Sequence, residues 1–169
     1  MKVGLFGGSF DPIHLGHLRC AEELVELLGL DEMIFIPAAR HPLKEGRSLL
    51  PFHHRAAMVR IAIAGNPSFS LSEREHRREG PSYSIDTVRE FILDYPDGRE
   101  FCFIMGQDAF QDITLWKDWR DLLRCCRIIV MARPGSGEKT LRDVLPADCL
   151  ADFSYDAADE CYRGSRGGA

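Results

Sequence analysis

The sequence predicts an α/β protein, a doubly wound parallel sheet with helices on both faces. Three observations carry that prediction. Short apolar runs alternate along the chain with longer stretches of helical period. Runs such as EMIFI at 32–36 and FCFIM at 101–105 are apolar nearly throughout, as in strands buried on both faces, and do not alternate as half-exposed strands do. The runs are also closed by Gly or Pro, so the turns after them are expected on one rim of the sheet.

The elements follow in order. Val3–Phe6 is a buried strand ended by Gly7-Gly8. Leu18, Ala21, Leu24 and Leu28 recur at helical steps, which predicts a helix over Leu15–Leu28 with Gly29 as its C-terminal stop. Glu32–Ile36 is the second strand, closed by Pro37, and Pro42 and Gly46 mark a loop. Phe52–Ala64 carries Ala56, Val59 and Ile63 on one side and reads as a helix. Phe69–Leu71 is a short strand, and REHRREG at 74–80 a charged, solvated loop, as is His53-His54. A helix is expected over Ser84–Leu93 with Ser84 as its N-cap. Phe101–Met105 is a strand ended by Gly106, Trp119–Leu123 a helix, and Arg127–Met131 a strand ended by Arg133-Pro134-Gly135. Lys139–Leu145 is a weaker helix. From Ala151 to Ala169 the apolar period is lost, so the chain divides into one domain over 1–150 and a loop or tail over 151–169.

At 169 residues and 45% apolar composition the chain is long enough to bury a core. The formal net charge of −5 argues against a broad basic face for nucleic acid. No run approaches the roughly 18 apolar residues of a membrane span, and the N-terminus lacks a signal-peptide pattern. The six cysteines show no C-x-x-C spacing, so reduced thiols in a cytoplasmic protein are expected, and no zinc site. Nothing in the pattern assigns an oligomeric state.

In doubly wound sheets ligands bind beyond the carboxyl ends of the strands, here at Gly7-Gly8, Pro37, Gly106 and Arg133-Pro134-Gly135. The stretch GLFGGSFDPIHLGH at 4–17 is the richest of these. Gly7 and Gly8 leave backbone N–H groups accessible, and the helix that follows offers further N–H donors and the positive end of its dipole. That combination is an anion site, and the expected anion is phosphate. Neither G-x-x-x-x-G-K-[ST] nor G-x-G-x-x-G is present. In place of a lysine stand His14 and His17, three apart and on one side of a helical turn, able to donate to phosphate oxygens.

GGSFDPIHLGH resembles the signature of the nucleotidylyltransferase superfamily, whose H-x-G-H motif binds a nucleoside triphosphate. GPSYSIDT at 80–87, IMGQD at 104–108, Leu115-Trp116 and ARPG at 132–135 resemble, in order and spacing, the bacterial nicotinate-nucleotide adenylyltransferases. The resemblance covers about residues 1–135. It implies a Rossmann-like sheet and a reaction of ATP with nicotinate mononucleotide that gives nicotinic acid adenine dinucleotide and pyrophosphate, with Mg²⁺ carried on the substrate phosphates. It also implies ATP contacts from Gly7, Gly8, Ser9, Phe10, His14, His17, Gly106, Asp108 and Arg133. Asp108 would take the adenosine side, where a carboxylate at a strand end can accept from ribose hydroxyls. The amides of Ser82, Tyr83 and Ser84, with the Ser84 hydroxyl, would hold the pyridine carboxylate. Trp116 would stack on the pyridine ring, while Trp119 has the helical period of a core residue. Lys44 is carried over as a phosphate contact, although Leu43 departs from the family's usual residue.

The family's second signature, of Ile-Ser-Ser-Thr-x-Ile-Arg type, has no counterpart, which reads as a missing C-terminal subdomain. The expected chemistry is direct in-line transfer. The mononucleotide phosphate attacks the α-phosphorus of ATP with no covalent enzyme intermediate. Two rival readings are another nucleotidylyltransferase, such as one acting on phosphopantetheine, and a nucleotide-binding module without turnover.

Overall fold

The computed structural model describes residues 1–40, 49–96, 98–131, 140–156 and 161–164. Five parallel strands form the main sheet: β1 (Lys2–Gly8), β2 (Glu32–Pro37), β3 (Phe69–Leu71), β4 (Glu100–Gly106) and β5 (Arg127–Met131). Their order is β3-β2-β1-β4-β5. The chain starts at the centre, winds to one edge, then returns beside β1 and winds to the other. That reversal opens a crevice between the carboxyl ends of β1 and β4. In register, Phe6 lies beside Ile104, Gly8 beside Pro37 and Gly106 beside Met131.

The apolar runs are buried on both faces because their residues alternate between two cores. Val3, Leu5, Ile34, Ile36, Phe101 and Phe103 face one of them. It is covered by α4 (Ser84–Asp94) through Val88 and Phe91, and by α6 (Trp119–Cys125) through Trp119 and Leu122. Phe6, Met33, Phe35, Cys102 and Ile104 face the other. There α1 (Leu15–Leu28) contributes Ala21, and α2 (Phe52–Ile63) contributes Val59 and Ile63. Trp119 is thus core, as its spacing predicts.

Gly29 stops α1 in the left-handed conformation, φ 60°, and the next amide, Leu30 N–H, donates to the Val25 carbonyl at 3.0 Å. Replacing Gly29 with Ala keeps that φ at a cost of about 1–2 kcal/mol. The melting temperature of Gly29→Ala should fall by roughly 2–8 °C, measured by circular dichroism.

The structure corrects several local expectations. Ser84 is the first residue of α4, and Tyr83 is the N-cap. The stretch expected to be a charged loop contains α3 (Arg74–Arg77), with Glu75 buried. Its neighbours Arg74 and Arg78 are half-buried and paired with Asp94 and Glu90, whereas His53 and His54 are exposed as expected. Gly106 is followed at once by α5 (Gln107–Gln111) and a 3₁₀ turn over Ile113–Leu115. The weak helix shortens to α7 (Leu141–Val144), followed by α8 (Ala147–Leu150). The expected tail holds β6 (Phe153–Asp156) and β7 (Cys161–Gly164), paired antiparallel, with Phe153 packed on the first core. Four-residue strands are too short to register as a period, which is why the sequence reads as loop there.

Cys20, Cys102, Cys125, Cys126 and Cys149 are free thiols. Burial, aided by the adjacent Cys125, pushes the Cys126 thiol up to about 12, so it stays protonated and unreactive at neutral pH. Among the described residues no helix is long and apolar enough to cross a membrane.

Candidate functional site

The site begins where β1 ends. Phe10 takes φ 46°, a conformation bulky residues rarely adopt, and its ring is buried edge-on against Phe6 at 5.4 Å between centroids. The buried ring holds the turn from below, which leaves the backbone of Gly7–Phe10 on the cavity side. Ser9 Oγ is buried and has no hydrogen-bond partner among the described residues, an uncommon state for a polar atom and one that a phosphate oxygen would relieve.

Arg55 fixes this turn from behind. Its side chain is 1% exposed and donates to backbone carbonyls: Nη1 to Ser9 at 2.6 Å, Nη2 to Ala38 at 2.8 Å and Nε to Leu50 at 2.9 Å. Desolvation lowers its pKa from the ordinary arginine value, opposed by the charge of Asp11. Asp11 ties the same loop down by accepting from the Leu50 amide at 3.1 Å.

His14 is the N-cap of α1, and its backbone N–H donates to Nδ1 of His17 at 3.2 Å. With Nδ1 an acceptor, the neutral His17 ring carries its proton on Nε2. The two imidazoles lie 3.8 Å apart between centroids, and His17 rests edge-on against Phe10 at 5.2 Å. Gly16 makes the pairing possible, since a Cβ there would stand 3.0 Å from His14 Nδ1.

Across the crevice, β4 ends at Gly106, the N-cap of α5. A Cβ on Gly106 would stand 2.6 Å from Asp108 Oδ1, so only glycine lets that exposed carboxylate fold back over the strand end.

The far wall is built by the entry to α4. Ser82 is buried, and its Oγ accepts from the amides of Ala39 and Arg40, both at 3.1 Å. Beneath it Glu75 accepts from Thr87 Oγ1 at 2.9 Å. Burial pushes the Glu75 carboxyl above its ordinary value, opposed by hydrogen bonds from Thr87, Ser82 and the Ala39 amide and by the charge of Arg78. Trp116 stands edge-on to Phe103 at 6.4 Å. Lys117 Nζ lies 4.9 Å from the Tyr83 ring centroid and binds both oxygens of Asp86, at 2.9 and 3.0 Å.

These walls enclose one cavity of about 790 Å³. Gly7, Gly8, Ser9, Phe10, His14 and His17 line one side of it. Gly106, Asp108, Ser82, Tyr83, Ser84 and Trp116 line it opposite, together with Glu75 and Lys117. Every site residue predicted from the sequence within the described residues therefore meets the same space. Lys44 and Arg133 lie outside the described residues. Sequence reasoning missed Arg55, Glu75 and Lys117. The cavity presents the β1 turn with its two imidazoles, the Asp108 carboxylate at the end of β4, and Trp116 beside the α4 entry. At that entry the Ser82 and Tyr83 amides already donate to the Arg40 and Pro81 carbonyls at 2.8 and 3.1 Å, and the Ser84 amide and hydroxyl remain.

A model of the cytidylyltransferase-like family matches residues 5–164. The chain belongs to this family. Within it, the chain is 48% identical over 158 residues to the probable nicotinate-nucleotide adenylyltransferase of Pelobacter propionicus, an alignment covering 94% of this chain and 73% of that one. It is 44% identical over 160 residues to the protein of the same name from Geobacter sulfurreducens, covering 95% and 74%. The fold is shared with the Plasmodium falciparum nicotinic acid mononucleotide adenylyltransferase complexed with NaAD. There the TM-score is 0.69 at 23% identity, over 82% of this chain and 67% of that one. The match to the family model spans both the β1 turn and the α4 entry.

Proposed function

We propose that this chain is a nicotinate-nucleotide adenylyltransferase. It joins ATP and nicotinate mononucleotide into nicotinic acid adenine dinucleotide and releases pyrophosphate, a step of NAD biosynthesis. One observation carries the reading: a single cavity holds both the imidazole-lined β1 turn and the α4 entry, with the Ser84 amide and hydroxyl, beside Trp116. The first suits a triphosphate and the second a flat ring bearing a carboxylate. The names of the 48% and 44% identical relatives point the same way. Free thiols agree with action in the cytoplasm.

The phosphate of the mononucleotide attacks the α-phosphorus of ATP in line, and pyrophosphate leaves. The nucleophile is already an anion, so no general base is required. What remains for the protein is alignment and stabilisation of charge. The backbone of Gly7–Phe10 and the first amides of α1 hold phosphate oxygens, and His14 and His17 donate where negative charge grows. Asp108 receives the ribose hydroxyls of the adenosine half. Lys44 and Arg133 are assigned to phosphate oxygens from the sequence resemblance. The described lining offers amides, imidazoles and Lys117, and its carboxylates Asp11, Glu75 and Asp108 form no metal-holding group among the described residues, which suits phosphate oxygens better than a cation cage. Mg²⁺ would therefore arrive on the triphosphate and neutralise charge on the leaving pyrophosphate.

The test is pyrophosphate release with ATP and, in turn, nicotinate mononucleotide, nicotinamide mononucleotide and phosphopantetheine. Turnover is expected with the first and at least tenfold lower kcat/KM with the second, because an amide-lined pocket rewards the anion. Turnover of phosphopantetheine in preference, or ATP binding without pyrophosphate release, would overturn the reading.

A further inference from the structure

We propose that Glu75 is a positioning residue for substrate-acid recognition: its buried carboxylate, acting through Ser82 and Thr87, fixes the entry to α4 so that the Ser84 amide and hydroxyl receive the pyridine carboxylate. The inference rests on the proposed function for the identity of that ligand and goes beyond it in naming what holds the pocket in shape.

Ser82 Oγ has two lone pairs, and the amides of Ala39 and Arg40 occupy both. Its hydrogen must go elsewhere, and it goes to Glu75. Thr87 Oγ1 accepts from Arg78 Nη2 at 2.9 Å. Its hydrogen faces Glu75 Oε1 at 2.9 Å, nearer than the Tyr83 carbonyl at 3.3 Å. Two buried hydroxyls, each with its acceptor side filled, therefore need an acceptor at one point. Only a carboxylate meets that demand. A carboxamide keeps one acceptor oxygen and turns an NH₂ with two donors toward the hydroxyl hydrogens gathered there.

The consequence reaches the cavity. Ser82 is pinned on both sides: its Oγ takes the Ala39 and Arg40 amides, and its own N–H donates to the Arg40 carbonyl at 2.8 Å. Thr87 lies in the first turn of α4, where it also meets the Tyr83 carbonyl. Glu75 thus couples the exit of β2 to the entry of α4. Ser82, Tyr83 and Ser84 are the cavity wall between them. Without the carboxylate the α4 entry would be free to turn, and a ligand anion would lose the directed Ser84 donors, which a neutral amide ligand does not need to the same degree.

The test compares wild type with Glu75→Gln and Thr87→Val. Calorimetry measures binding of nicotinate mononucleotide and nicotinamide mononucleotide, and steady-state kinetics gives kcat and KM for each substrate. In Glu75→Gln, Kd and KM for the acid should rise about tenfold, the loss of roughly one charge-assisted hydrogen bond. KM for ATP should stay within about twofold, and the acid-over-amide preference should fall about tenfold. Thr87→Val removes one of the two hydroxyls and should move the same ratio in the same direction. It carries the test if Glu75→Gln does not fold. An unchanged acid-over-amide ratio, or an equal loss for both mononucleotides and ATP, overturns the proposal in favour of a purely structural role. Wild type binding acid and amide equally overturns it too. Acid preference in binding that the variants lose, without pyrophosphate release by wild type, would fail the proposed function while still supporting Glu75.

Discussion

His17→Ala lowers kcat for pyrophosphate release by about 10²–10³, the loss seen when one preorganised donor to developing negative charge is removed. The expectation comes from how firmly the ring is held. Its Nδ1 is engaged by the His14 amide at 3.2 Å, and its ring is packed against Phe10 at 5.2 Å and Phe6 at 6.0 Å between centroids. Orientation is therefore fixed before substrate arrives, and the Nε2 proton needs no rearrangement to meet an oxygen. Ground-state binding should suffer less, because the Gly7–Phe10 backbone and the α1 amides remain. KM for ATP is expected to rise only a few-fold while kcat collapses, the pattern of an interaction made mainly in the transition state. Losing the ring also removes an acceptor for the His14 amide at the start of α1, worth about 1 kcal/mol, so the variant should still fold. A kcat within about threefold of wild type, in a folded His17→Ala protein, would remove His17 from the chemistry.

Which parts of the molecule the sequence discloses follows from what kind of force builds each part. The five strands and the long helices are written in apolar periodicity, because burial is repeated every two or every three to four residues. Leu15–Leu28 is legible for this reason, down to its glycine stop. The β1 turn is legible for a different reason: Gly7, Gly8, His14, Gly16 and His17 each answer a local requirement of backbone approach or ring spacing, so the motif is contiguous. The α4 entry and Glu75 are another matter. Glu75 lies in a run of charges that reads as solvated, and its burial is set by Thr87, Ser82 and the β2 exit, all distant in sequence. Polar burial leaves no period. Arg55 is an intermediate case. It sits four residues before Val59 and eight before Ile63, on the buried stripe of α2. An arginine on an apolar stripe signals a charge with inward partners, and that signal was available in the sequence.

Arg55 gives the largest expected effect on stability. Its guanidinium satisfies the carbonyls of Ser9, Ala38 and Leu50 in a space with almost no exposure. Two opposing terms decide the outcome of Arg55→Leu. Removing a buried charge relieves its desolvation, which is real here because burial already lowers the arginine pKa. Against that, three carbonyls lose their donors, at roughly 1–3 kcal/mol for each that water does not reach. Leucine is also shorter than arginine and leaves the far end of the slot unfilled. The carbonyl term should win, with a net loss of roughly 3–5 kcal/mol and a fall in melting temperature of about 6–20 °C. The functional consequence follows from which carbonyls these are. The Ser9 carbonyl belongs to the turn that presents amides to phosphate, and the Leu50 amide is tied to that turn through Asp11. Freed from Arg55, the turn must be ordered by the nucleotide itself, so Kd for ATP should rise about tenfold even well below the new melting temperature. Arg55→Lys separates the two effects: it keeps the charge but replaces a rigid fork with a single ammonium, which reaches the carbonyls only in part. It should recover some stability and little of the ATP affinity. A leucine variant that melts within about 3 °C of wild type and binds ATP unchanged would mean that the turn holds its shape without the clamp.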